Sequence, residues 1–275
     1  TFQRKELDEI DPEHNRGLNV VPQLLTNRAE HFLWAARELH DRGFREVNFN
    51  LGCPAGTVAA KRKGAGLLAY PQELDRCLEE IFAGLPRGMT VSVKTRIGKN
   101  DPGEWPGLLE IYRRYPLAEL IVHPRLQKEF YKGTPHREAF STVSGPWPVV
   151  YNGDIWTAED AAALSRDFPG TDAVMLGRGL MRDPSLLRQL RGGLAASVRE
   201  VRTYHDRLLD AYRQRLSGDL PVMHRMWELW TYLAAGFDGA EPYLKRMRKA
   251  KNLSEYQAAV DALLREQPLV YSKER

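Results

Sequence analysis

Six short runs rich in β-branched and aliphatic residues punctuate the first two-thirds of the chain, at positions 20–25, 47–51, 90–95, 120–123, 149–152 and 173–176. Between them, residues 29–42, 71–84, 105–115 and 157–167 carry apolar positions at helical spacing. The last of these opens with a capping signal at Thr157 and Asp160. Strands alternating with helices in this way predict a parallel sheet with right-handed crossovers. A closed (β/α)8 barrel needs eight such units, and six can be counted here. The predicted α/β fold is therefore a (β/α)8 TIM barrel lacking its first two strands, with residues 5–15 read as a charged helix or loop. Beyond Pro184 the pattern changes, because Val198, Val201, Tyr204, Leu208, Tyr212 and Leu216 follow a helical period, as do residues 221–235 and 241–264. The C-terminal third is predicted as an all-helical bundle without strands. With the boundary near Gly192-Gly193, the domains run over 1–192 and 193–275.

Composition adds limits to this picture. A chain of 275 residues that is 43% hydrophobic can bury one large α/β core with a small appendage. The net charge of +4 permits a polyanionic partner without requiring one. Two cysteines, no signal-like start and no apolar run long enough for a bilayer predict a reduced, cytoplasmic protein with no membrane association. Cys77 falls on the apolar face of a helical segment and reads as core. Cys53 has no such face to occupy, for it follows the strand 47–51 in the turn Gly52-Cys53-Pro54.

In a (β/α) barrel the chemistry sits on loops after the C-terminal ends of the strands, and the strand ends of this chain are polar. Lys94 and Arg96 leave the third run, His123 and Arg125 the fourth, Asn152-Gly153-Asp154 the fifth and Gly177-Arg178-Gly179 the sixth. Such a set suits a polar, planar, phosphorylated cofactor, with arginine able to fork onto phosphate. Neither cysteine has a second ligand at finger or ribbon spacing, so no metal is expected. A nucleophile elbow and a Walker-type phosphate loop are missing too.

Taken in order, Asn50-Leu51-Gly52-Cys53-Pro54, Lys63-Gly64-Ala65-Gly66-Leu67-Leu68, Ser92-Val93-Lys94-Thr95-Arg96, His123-Pro124-Arg125, Asn152-Gly153-Asp154-Ile155 and Met175-Leu176-Gly177-Arg178-Gly179 resemble the tRNA-dihydrouridine synthase family from about Gly17 onward. The resemblance implies an FMN enzyme that uses NADPH to reduce the C5–C6 bond of particular uridines in tRNA. Hydride would reach C6, and Cys53 matches the acid that protonates C5, which asks for a thiol that keeps its proton near neutral pH. It further implies that Gln23, Lys94 and His123 lie against the flavin ring, and that Asn152, Gly153, Asp154, Gly177 and Arg178 hold the ribityl chain and phosphate. Asn50, Arg96 and Arg125 would stand on the substrate side, with Lys61, Arg62 and Lys63 at the mouth of the site. Lys245, Arg246, Arg248, Lys249 and Lys251 form a cation cluster in the bundle, expected to meet tRNA phosphates. The protein is expected to be a monomer.

Two departures accompany the resemblance. Nothing in residues 1–19 matches the family's opening strand with its Pro-Met-x-Gly-Val/Ile-Thr motif, which predicts an N-terminally truncated member. The histidine is followed by proline where many members carry glycine. Two further readings remain open from the residues: an FMN barrel of the dihydroorotate or dihydropyrimidine dehydrogenase kind acting on a free base, and a catalytically inactive tRNA-binding protein.

Overall fold

A computed structural model describes residues 1–271. The chain divides into two compact units, Thr1–Gly153 with Phe168–Met175, and Asp154–Asp167 with Leu176–Arg275. The first carries the sheet: β1 (Gln23–Leu24), β2 (Glu46–Leu51), β3 (Thr90–Arg96), β4 (Leu120–His123), β5 (Val149–Tyr151) and β6 (Ala173–Val174). All neighbours are parallel and follow chain order. Parallel strands in sequential order, with helices in the connections, are the architecture of a (β/α)8 barrel, six strands of which lie among the described residues.

Each expected run forms a strand, with shifts at the ends. β1 is confined to two residues because Pro22 has no N–H to donate, although its carbonyl still accepts from Asn48 N at 2.8 Å. In β3, Val91 and Val93 on one face and Ser92 and Arg96 on the other are all buried, as expected for a parallel strand covered on both sides. Helix Ala29–Asp41 buries Phe32, Ala35, Ala36 and Leu39, and Phe32 meets Phe49 of β2 edge to face at 5.2 Å. Helix Pro71–Gly84 starts with proline where a missing N–H costs nothing, and it buries Leu74, Cys77, Leu78 and Ile81. Burial pushes the Cys77 thiol up to about 12, so this cysteine is inert core.

Register decides which strand ends meet. Asn50 of β2 lies opposite Lys94 of β3, and Arg96 of β3 lies opposite His123 of β4. Two adjacent polar pairs therefore stand at the C-terminal edge of the sheet.

In the second unit, Thr157 Oγ1 accepts from Asp160 N at 3.1 Å while Asp160 Oδ2 accepts from Thr157 N at 2.9 Å, the reciprocal cap that the sequence signalled. Helices Val198–Arg215, Asp219–Leu233, Glu241–Lys249 and Leu253–Glu266 follow. Their core centres on Met226, Trp230, Leu233, Tyr256, Val260 and Leu263. The single helix expected over 241–264 is two. Ala250 is extended, and Asn252 Oδ1 caps the next helix by accepting from Glu255 N at 2.9 Å. An Asn-x-x-Glu start signal lay inside the longer periodic pattern. Among the described residues of this bundle, the β structure amounts to an isolated antiparallel bridge between Phe237 and Leu269. No helix among the described residues is long and apolar enough to cross a membrane.

Candidate active site

Cys53 sits where β2 gives way to a loop, and that loop has its backbone polar groups satisfied one by one. Asn50 Oδ1 accepts from Gly52 N at 3.0 Å and from Cys53 N at 2.9 Å. The Gly52 carbonyl receives Arg96 Nε at 3.0 Å, the Cys53 carbonyl receives Ala65 N at 3.0 Å, and the Pro54 carbonyl receives Gln127 Nε2 at 2.7 Å. Every N–H and C=O of Gly52-Cys53-Pro54 is thus held by protein, which leaves the thiol on a fixed frame rather than on a mobile turn.

The bonds at Asn50 also orient a row of amides. Backbone N–H groups can only donate, so they fix which end of the Asn50 amide is oxygen. Its Nδ2 then donates to Gln23 Oε1 at 2.7 Å, Gln23 Nε2 to Asn48 Oδ1 at 2.9 Å, and Asn48 Nδ2 to Ser92 Oγ at 3.0 Å. Asn48 and Ser92 are buried, whereas Gln23, the first residue of β1, is exposed and keeps a second N–H. Asn50 and Gln23, expected on substrate and flavin respectively, are coupled to each other.

Lys94 is the charged group nearest in character to a ligand contact. Burial, reinforced by the Arg96 charge, pulls its ammonium down to about 8, with Cys53 acting in the opposite sense. Its side chain has no hydrogen-bond or ion-pair partner among the described residues. Gly52 lies alongside it, where a β-carbon would stand 3.7 Å from Lys94 Nζ, in ordinary contact. Half-buried and unpaired cations are costly, and such groups concentrate at binding and catalytic sites.

The two arginines expected on the substrate side are placed differently. Arg96 is 1% and Arg125 0% exposed. Besides holding Gly52, Arg96 gives Nη1 to the Leu126 carbonyl at 2.8 Å, and burial brings its guanidinium down to about 10. Arg125 holds the carbonyls of Lys132 and Gly133 at 3.2 and 2.5 Å. Both therefore work beneath the surface as clamps on the loops after β2 and β4. Arg125 Nη1 also lies 3.0 Å from His123 Nε2. A guanidinium cannot accept, so Nε2 is the acceptor and His123 carries its proton on Nδ1. Exposed Tyr131 stacks near His123 at 6.1 Å and lies 5.5 Å from the Arg96 guanidinium carbon.

At the end of β5, Asn152 Nδ2 donates to the Met175 carbonyl at 2.9 Å, and a β-carbon on Gly153 would lie 3.4 Å from His123 Cδ2. In the loop beyond Cys53, Lys61 is exposed and Lys63 half-buried, while Arg62 is tied to Glu73 at 2.7 Å and to the Tyr70 ring at 4.3 Å. Asp154, Gly177 and Arg178 belong to the second unit, where Arg178 Nη2 meets Asp154 Oδ1 at 2.8 Å and Gly177 precedes the short helix Arg178–Arg182. In that unit Lys245, Arg246, Arg248, Lys249 and Lys251 are all solvent-accessible, flanking the buried Tyr243 and Met247. Among the described residues no group of three or more His, Cys, Asp or Glu side chains is placed to hold a metal ion.

The family model for dihydrouridine synthase matches residues 2–269. The chain belongs to the dihydrouridine synthase family. It is 26% identical over 250 residues to a probable tRNA-dihydrouridine synthase of Staphylococcus aureus strain Mu50, across 88% of this chain and 74% of that relative. Identity is again 26% to the probable tRNA-dihydrouridine synthase 2 of Bacillus subtilis strain 168, across 88% of this chain and 75% of that protein. Among solved structures, a variant of NCR from Zymomonas mobilis superposes with a TM-score of 0.46 at 17% identity, over 71% of this chain and 70% of that one, too loosely to bear on function.

Within this dihydrouridine synthase chain, two residues beside Cys53 were not singled out from sequence, Gln127 for want of any local mark and Gly64 because it stood only inside a longer motif. Gln127 is 9% exposed and reaches Pro54 across 73 residues of sequence. Gly64, visible only as part of a motif, packs against Cys53 itself. The signal for it was a glycine followed by small residues on the loop that returns past the cysteine.

Proposed function

We infer that this chain reduces uridine in tRNA to 5,6-dihydrouridine, with Cys53 as the acid and flavin mononucleotide as the bound carrier of electrons from NADPH. The observation that carries the reading is the pairing of a rigidly framed thiol with an unpartnered, half-buried Lys94 at the C-terminal edge of a parallel sheet. The donor set fits a flavin ring. Lys94 offers an ammonium without a protein partner among the described residues and Gln23 a second N–H, His123 stands at the same edge of the sheet, and Gly153 packs too closely on Tyr151 and His123 to carry a side chain without displacement. Family membership supports the same reading.

Bound and reduced, the flavin would supply hydride to C6 of the uracil ring. Cys53 Sγ–H gives its proton to C5, and the thiolate regains a proton from solvent. Asn50 and Arg96 act on that step through the loop, by fixing the direction in which Sγ points. In the second unit, Arg178 is proposed as an anion contact, and the cations from Lys245 to Lys251 as contacts to RNA phosphates.

The test is the absorption spectrum of the purified chain with FMN, followed by nucleoside analysis of unmodified tRNA after incubation with NADPH. Cys53→Ala is expected to keep the flavin bands and their bleaching by NADPH, while dihydrouridine formation falls by about 100-fold or more. A colourless chain that still shifts tRNA at low salt would sink the reading in favour of RNA binding alone. Turnover of free uracil or orotate would redirect it to a free-base reductase.

A further inference from the structure

The loop after β4 reaches the cysteine loop at both of its ends. Arg96 links the Leu126 carbonyl to the Gly52 carbonyl, with bonds of 2.8 and 3.0 Å. The next residue, Gln127, gives its side-chain amide to the Pro54 carbonyl at 2.7 Å. Gln127 is itself anchored, since its backbone N–H donates to Gly98 O at 3.0 Å and its carbonyl accepts from Phe130 N at 3.2 Å. It is 9% exposed, so its amide works in an environment where water does not readily replace a broken bond.

The two ends of the loop are not equivalent. The Gly52 end is held by Asn50 as well as Arg96, whereas the Pro54 carbonyl takes its hydrogen bond from Gln127. Proline supplies no N–H of its own and restricts the backbone of the residue before it, which is Cys53. The Pro54 carbonyl lies in the peptide that follows Pro54, so the Gln127 bond anchors the C-terminal side of the turn, and its release reaches Cys53 through a residue whose φ the ring fixes.

We propose that Gln127 is a positioning residue for proton transfer, setting the aim of the Cys53 thiol through the Pro54 carbonyl without touching substrate or flavin. The proposal rests on the assignment of Cys53 as the acid. Misplacement of a reacting group by about 1 Å can cost on the order of 100-fold. Removal of this hydrogen bond is expected to slow the step that needs the proton and to spare the step that does not.

The experiment compares the full chain with Gln127→Met, which keeps the length of the side chain and removes its donor, and with Gln127→Glu. Flavin reduction by NADPH is followed without RNA, and flavin reoxidation is followed with uridine-containing tRNA, in water and in deuterium oxide. Reduction is expected within about twofold of the parent. Reoxidation by tRNA is expected to fall about 10- to 100-fold in Gln127→Met, with an enlarged solvent isotope effect. Gln127→Glu should recover toward the parent rate as pH falls, because a protonated carboxyl regains an O–H for the Pro54 carbonyl. Parent-like reoxidation in both variants would overturn the proposal, as would parallel decreases in both half-reactions together with loss of flavin.

Iodoacetamide alkylation of Cys53 gives a second reading that needs neither flavin nor RNA, since Cys77 is buried. An altered rate in Gln127→Met is expected, and an unchanged rate counts against the positioning role. If the parent chain proves unable to reduce tRNA, the functional reading fails, and alkylation still decides whether Gln127 aims the thiol.

Discussion

Gly64 rests directly on Cys53: a β-carbon at Gly64 would lie 2.8 Å from Cys53 Cβ and 2.9 Å from the Cys53 carbonyl oxygen. Its φ of +55° adds a second requirement, since only glycine takes that conformation at little cost. The neighbouring Ala65 N–H closes the contact by donating to the same Cys53 carbonyl at 3.0 Å.

Gly64→Ala is therefore expected to displace the cysteine loop even though the substitution adds a single methyl group. Strain and overpacking together should cost about 2–4 kcal/mol, read from urea denaturation. Formation of dihydrouridine should fall far more than the binding of flavin. Parent-like stability and parent-like activity in this variant would show that the loop is less constrained than its contacts imply.

How much of this could be read from sequence depended on range. Strand and helix positions were legible because their signals are local, and the polar strand ends marked the edge of the sheet that matters. Burial of individual charges was not legible. Arg96 and Arg125 look like ligand contacts by residue type, and only the fold reveals that backbone carbonyls from distant loops converge on them. Gln127 offered no clue, because its partner is a main-chain carbonyl and main-chain partners leave no trace in residue identity.

Lys94 gives a prediction in which stability and function move in opposite directions. Its folded pKa of about 8 lies below the ordinary lysine value of 10.5, so at neutral pH the folded chain holds an ammonium ion that the unfolded chain holds more comfortably. Between the two values the unfolded state binds more protons, and stability rises with pH through that window. Below it the penalty is fully present. Lys94→Met should accordingly raise stability at pH 7 by roughly 2–3 kcal/mol, with the advantage vanishing above about pH 10.5. The same variant should bind flavin more weakly. Denaturation across pH 7 to 10.5, set beside flavin titration, checks both halves, and a destabilised Lys94→Met would overturn the account of an unpaired charge.

The cation cluster of the second unit makes a prediction about salt. Lys245 and Lys249 share one side of helix Glu241–Lys249, and Arg248 lies across the buried Met247 from Arg246. If these side chains meet RNA phosphates, Lys245→Ala with Lys249→Ala should weaken tRNA binding at low salt. It should also flatten the slope of log K against log salt concentration by about 0.7–0.9 for each phosphate no longer neutralised. An unchanged slope in filter-binding measurements from about 50 to 200 mM salt would mean that these lysines are merely solvated.

His205 provides a pH prediction for the same unit. It is fully buried, with Nδ1 2.8 Å from Asp206 Oδ1 and Nε2 2.8 Å from the Tyr256 hydroxyl, which also receives Trp230 Nε1 at 2.8 Å. With the proton on Nδ1, each bond has one donor and one acceptor, the Tyr256 O–H pointing at Nε2. A second proton, on Nε2, would leave the Tyr256 hydrogen without its acceptor and make its oxygen accept twice. Burial depresses the pKa of His205, with Arg202 acting in the same sense and with Asp206 and Asp261 opposing. The unfolded chain then takes up a proton that the folded chain resists, so stability should decline as pH falls below the ordinary histidine value of about 6.5. Histidine NMR is expected to show the His205 ring still neutral where exposed histidines have titrated, and a melting temperature that drops between about pH 7 and 5.5 by less in His205→Gln than in the parent. A His205 resonance titrating at or above about pH 6.5 would reverse the sign of this contribution and refute the account of the buried network.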